Sequence, residues 1–138
     1  MPIGRRRLVT ESYGALVIPG ATANGVIRAG AAVALVSITG NQKVVECNSS
    51  TYAEEFQGFA KVAVADGDPV PVVTIRGSLI EPIVEGGGAL TPNGPVFLSP
   101  TLGEVAQGPP ATGMVIRIGE AVSPTQIFFN TDQRILIP

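Results

Sequence analysis

Residues 87–108, GGALTPNGPVFLSPTLGEVAQG, and residues 113–138, GMVIRIGEAVSPTQIFFNTDQRILIP, decide the fold class. Each apolar run in them is short, and a Gly, Pro, Asn or Ser stops it before a helix could complete two turns. In Met114-Val115-Ile116-Arg117-Ile118 the only charge falls between two isoleucines. At the two-residue period of a strand, Met114, Ile116 and Ile118 share a core face and Arg117 points the other way.

Working outward, the same rhythm extends over most of the chain. The apolar runs predict strands at Tyr13 to Ile18, Ala32 to Ile38, Lys43 to Cys47, Gly58 to Val64, Val70 to Arg76, Leu79 to Val84, Val96 to Ser99, Met114 to Ala121, Gln126 to Phe129 and Arg134 to Ile137. Gly40-Asn41, between Ile38 and Val44, reads as a tight hairpin, and Asp66-Gly67-Asp68-Pro69 reads as a turn that launches the next strand. The one candidate helix is Thr51 to Phe56, where Thr51 and Glu54 match a capping box. Twelve prolines and seventeen glycines discourage helices elsewhere.

The expected fold is therefore all-β: a single compact domain of short strands, a β-barrel, β-tulip or sandwich, with one short helix and an extended N-terminal arm. Its boundaries fall at residues 1–11 for the arm and 12–138 for the domain. A chain of 138 residues buries roughly two thirds of its unfolded surface in one core and leaves no room for a second independent domain. Charged residues make up only 14% of the chain, and mean hydropathy is positive at +0.36, which suggests that a partner covers part of the surface.

Charge is distributed unevenly. Arg5, Arg6 and Arg7 are three of the nine basic residues and stand ahead of a body that is otherwise slightly acidic. They read as an arm that orders on an acidic partner surface. The apolar stretch after them is too short for an export signal and stops at Pro19, and no run approaches the ~20 residues of a membrane span. A net charge of −2 argues against nucleic acid, whose binding needs many cations on phosphates.

Chemistry-bearing patterns are sparse. There is no histidine, so Cys47, the only cysteine, lacks the usual base and reads as a core residue. Gly86-Gly87-Gly88 lacks the Lys and Ser or Thr of a phosphate-binding loop. Asp66 and Asp68 lack the further ligands of a hard-cation site, and Glu54 and Glu55, as neighbours on a helix, diverge instead of forming an acid/base pair. Asn48-Ser49-Ser50 is a glycosylation sequon that matters only in an exported chain. Lys43 and Lys61, the only lysines, lack the flanks of a biotin- or lipoate-bearing hairpin. The chain is expected to be no enzyme and to carry no cofactor, metal or catalytic residue.

The order of these elements resembles the small head proteins of tailed bacteriophages. The likeness rests on Ala29-Gly30-Ala31-Ala32-Val33, then Gln57-Gly58-Phe59-Ala60 with Gly67-Asp68-Pro69-Val70, and Arg76-Gly77. It continues through Gly88-Ala89-Leu90-Thr91, Gly94-Pro95-Val96-Phe97-Leu98, Gly103-Glu104-Val105, Val115 to Ala121 and Gln126 to Phe129. The resemblance covers about residues 12 to 137. It implies a capsid decoration, or cement, protein: made in the host cytoplasm, carried on the capsid exterior of the virion, trimeric, bound to the major capsid protein and without a small-molecule substrate. Edge pairing of the arm with a capsid strand would place Arg5, Arg6, Arg7, Leu8 and Val9 in that contact. Two other classes are expected to fit less well. A tail or head fibre component that binds a host-surface glycan would favour more aromatic platforms than two Tyr, five Phe and no Trp provide. A hydrolase would need a nucleophile with a base.

Overall fold

The computed structural model describes residues 16, 17 and 21–137. Eleven strands are present there. They are β1 (Leu16–Val17), β2 (Thr22–Ala23), β3 (Ala32–Ile38), β4 (Asn41–Glu46), β5 (Phe56–Ala60), β6 (Pro71–Val73), β7 (Leu79–Ile80), β8 (Pro95–Leu98), β9 (Val105–Ala106), β10 (Gly113–Ala121) and β11 (Ile127–Ile137). They form a six-stranded sheet in the order β1-β6-β5-β3-β4-β2 and a five-stranded sheet in the order β7-β11-β10-β8-β9. All neighbours are antiparallel except β2 and β4. The protein is all-β, as the sequence predicts.

Alternation along β3 explains why its apolar run, Ala-Val-Ala-Leu-Val, is uninterrupted. Ala32, Ala34 and Val36 face a main core shared with the second sheet, whereas Val33 and Leu35 face a smaller core on the opposite side. The same division separates Val45 from Val44, Phe59 from Ala60 and Val73 from Val72. A strand buried on both faces has no polar side to show in its sequence. The smaller core is closed by the flanking segments of residues 21–31 and 61–70, joined by a bridge between Ile27 and Val64.

The main core is filled from the second sheet by Ile80, Val96, Leu98, Val105, Ile116, Ile118, Ile127 and Phe129. At its centre Phe56, Phe59 and Phe129 meet edge to face, with ring centroids 5.5 to 6.2 Å apart. That geometry sets the positive ring edge against the negative face and adds to the area each ring buries. Cys47 is fully buried in the same core, and Ile116 and Ile118 lie inward with Met114 packed against them, as their spacing requires.

Several elements depart from the sequence reading. The helix expected at Thr51 to Phe56 is a single 3-10 turn, Ala53–Glu55, whose preceding residue is Tyr52 in a left-handed conformation with no side-chain cap. The Thr51 N–H, which the Glu54 carboxylate would accept in a capping box, is held with that of Ser50 by the Asn48 Oδ1 in an Asx-type turn. The Gly40-Asn41 hairpin is displaced by one residue: Ile38 pairs with Asn41, so Thr39 and Gly40 form the two-residue loop, both with positive φ. The two strands expected after residue 126 are one, β11. Between Phe129 and Gln133 it places three residues opposite the single Ile118 of β10, a bulge that the polar run Asn130-Thr131-Asp132 made look like a loop. Strands β2 and β9, two residues each, were too short to read.

Candidate functional site

Arg5, Arg6, Arg7, Leu8 and Val9, and the whole 1–11 arm with them, lie outside the described residues. Among the described residues the first strand after them in sequence is β1, at the edge of the six-stranded sheet, where it pairs with β6. On the loop layer that covers the outer face of this sheet, Val26 and Val62 are 71% and 46% exposed. They stand on the two segments that the Ile27–Val64 bridge holds together. Ile27 and Val64 are buried beneath, and Val26 and Val62 stand in water among the exposed polar residues Asn24, Arg28, Lys61, Asp66 and Asp68.

The principal ion-pair cluster among the described residues is internal to the fold. Arg28 donates from Nη2 and Nε to the Glu46 carboxylate at 2.8 to 3.3 Å, its backbone N–H adds a bond to Glu46 Oε2, and Nη1 reaches Glu104 at 3.3 Å. Nη2 also donates to the Leu102 carbonyl at 2.7 Å. The Glu46 carboxylate, accepting these bonds, holds the guanidinium pKa above its ordinary value, while partial burial acts against it. Gly103 lies beneath the cluster: a Cβ there would collide with the Glu46 carboxylate and the Arg28 guanidinium. Its backbone is bonded to both sheet neighbours, N–H to the Cys47 carbonyl and carbonyl to the Ala32 N–H. The cluster thus fastens the loop before β9 onto β3 and β4.

A second polar cluster has the same character. Ser99, fully buried, donates to Glu85 at 2.6 Å, and Thr101 donates to the same carboxylate oxygen. A serine hydroxyl that donates to a carboxylate, with no imidazole anywhere in the chain, is not the arrangement that makes a nucleophile. Asp66 accepts a bond from the Gly25 N–H, and the adjacent backbone of Gly67 and Asp68 bonds Ala23, so this turn joins the two covering segments. Lys43 Nζ donates to the Thr22 hydroxyl across β2 and β4, away from the hairpin tip. Among the described residues no three His, Cys, Asp or Glu side chains are grouped to hold a metal ion, and no helix is long and apolar enough to cross a membrane.

The outer face of the five-stranded sheet has no covering layer among the described residues. Leu79 and Phe128, directly paired across β7 and β11, are 61% and 41% exposed. Beside Phe128 the bulge forms a cleft of about 330 Å³ lined by Asn93, Arg117, Glu120, Val122, Phe128 and Asn130. Residue 119 at the cleft is glycine, where a Cβ would collide with the Phe128 carbonyl oxygen, so the two strands approach closely there. Arg117 and Glu120 pair at 3.3 Å across it. Sequence reasoning placed Arg117 outward but did not find this cleft, since its walls come from the turn before β8, from β10 and from β11.

Comparison of the chain with protein-family models, with curated proteins and with solved structures gives no match.

Proposed function

We propose that this chain is a capsid decoration, or cement, protein of a tailed bacteriophage. It binds the outside of the head, stabilises the lattice of the major capsid protein and acts as a homotrimer. The observation that carries the reading is an edge strand, β1, that follows the basic N-terminal segment in sequence, together with exposed Val26 and Val62 on the loop layer over the same sheet, which is buried on both faces at β3. Polar clusters elsewhere are engaged in fastening loops, which suits a molecule that works by adhesion.

The physical logic is that of a staple. Apolar contact contributes roughly 25 cal/mol per Å² before association costs are subtracted. Three linked copies bind the second and third sites at high effective concentration, so weak contacts add up to durable attachment. Arg5 to Arg7 meet acidic capsid residues, and the segment with Leu8 and Val9 pairs with a capsid strand edge.

The test is cosedimentation of the purified protein with expanded, undecorated heads. Binding is expected, and a Val26→Asp/Val62→Asp double variant with an unchanged melting temperature is expected to bind at reduced occupancy. A folded wild-type protein that stays in the supernatant overturns the proposal.

A further inference from the structure

We infer that the cleft at the β10–β11 bulge is a binding site for an uncharged saccharide. The inference rests on the cleft alone and is independent of the capsid proposal, which places attachment on the other sheet.

Four properties of the cleft point to this ligand class. Phe128 presents a partly exposed ring at its wall, an apolar plate of the kind that the C–H face of a pyranose stacks against. Asn93 and Asn130 flank it, and among the described residues neither side-chain amide makes a hydrogen bond. Each amide has donors and an acceptor, which matches adjacent hydroxyls that both donate and accept. Arg117 and Glu120 supply further donors and acceptors, and because they pair with each other the lining carries no net charge. That neutrality disfavours phosphate, sulfate and acidic sugars, which would have to compete with Glu120 for the guanidinium. The volume of about 330 Å³ lies at the lower end for small-ligand sites and suits a short saccharide unit.

The architecture holds these groups in place. Phe128 is fixed by strand pairing to Leu79 on one side and Glu120 on the other. Asn93 stands in a left-handed conformation, with its N–H bonded to the Ala121 carbonyl at 2.7 Å, which holds the backbone of the turn before β8 against the end of β10. One site of this size binds weakly, and copies displayed on a common surface raise the avidity.

The experiment uses the isotope-labelled full chain titrated with four neutral methyl glycosides, of galactose, glucose, mannose and N-acetylglucosamine, and with the methyl glycoside of N-acetylneuraminic acid. Amide resonances are followed in two-dimensional spectra. At least one neutral glycoside is expected to shift Asn93, Glu120 to Val122 and Phe128 to Asn130, including the side-chain amides of both asparagines. Phe128→Ala is expected to weaken that binding about tenfold and Phe128→Tyr to change it less than about threefold. Asn93→Gly, which keeps the left-handed backbone, is expected to weaken it as well. No shift with any neutral glycoside, tighter binding of the acidic sugar, or unchanged binding by a folded Phe128→Ala variant overturns the inference. The same variants are expected to cosediment with heads like the wild type, so failure of the saccharide site and failure of the capsid proposal are read separately.

Discussion

Replacing Arg28 by Met tests whether the Arg28, Glu46 and Glu104 cluster is a structural fastener. Glu46 is 9% exposed at its side chain and accepts from the Arg28 backbone N–H and from Nε and Nη2 of its side chain, and Glu104 is 15% exposed and accepts one bond from Nη1. Removing the cation leaves two carboxylates facing each other near Gly103, and it orphans the Leu102 carbonyl. Hydrogen bonds to charged groups contribute about 1.5 to 3 kcal/mol, and breaking a fully buried pair costs about 3 to 5 kcal/mol. The 45% exposure of the Arg28 side chain reduces both figures through solvent screening. The net expectation is a loss of about 2 to 3 kcal/mol for Arg28→Met. Glu46→Gln should cost about 1 to 2 kcal/mol and Glu104→Gln about 0.5 kcal/mol, because a neutral amide still accepts from the guanidinium. With an unfolding entropy of about 2.1 cal/mol/K per residue, or ~0.29 kcal/mol/K for this chain, the Arg28→Met loss lowers Tm by about 7 to 10 °C. Urea titrations of the single variants and the Arg28→Met/Glu46→Gln double variant give the coupling energy, expected near 2 kcal/mol. A coupling below about 0.5 kcal/mol, or a loss larger for Glu104→Gln than for Arg28→Met, refutes the assignment. So does a variant with wild-type stability that no longer binds heads, because the cluster would then be functional.

Three further predictions address the core, a turn and the arm. Phe129→Ala removes two edge-to-face contacts and a buried ring and is expected to cost about 3 to 5 kcal/mol by urea titration; a loss under about 1.5 kcal/mol would show that the three rings do not hold the sheets together. Thr39→Asn, at a left-handed position where a β-branched residue is strained, is expected to stabilise by about 0.5 to 1 kcal/mol, seen as a higher Tm in calorimetry and contradicted by an equal or lower one. Deleting Met1 to Arg7 is expected to leave Tm unchanged while weakening attachment to heads, with the residual difference shrinking as salt rises; unchanged attachment or a collapsed fold would contradict it.

The strand content was legible because it is local. Short apolar runs with Gly or Pro at their ends fix where a strand can run, and a two-residue period fixes which side of β10 is core. Absent histidine and a lone Cys47 likewise narrowed the chemistry before any fold was known. The capping box at Thr51 is not formed: Asn48, equally close in sequence, takes the Thr51 N–H, and the turn starts one residue later, after Tyr52 in a left-handed conformation.

What the tertiary structure alone decided is everything that depends on chain segments meeting. Arg28 finds Glu46 and Glu104 across separations of 18 and 76 residues, and nothing in the neighbourhood of any of the three announces it. The continuous run of β3 states that both faces are buried, but not that two cores lie on either side. The bulge that opens the cleft at Phe128 depends on the register between β10 and β11, which is set by sheet packing and by the close approach at Gly119. Backbone propensity acts over a few residues, whereas register and closure are settled by the mutual burial of distant faces.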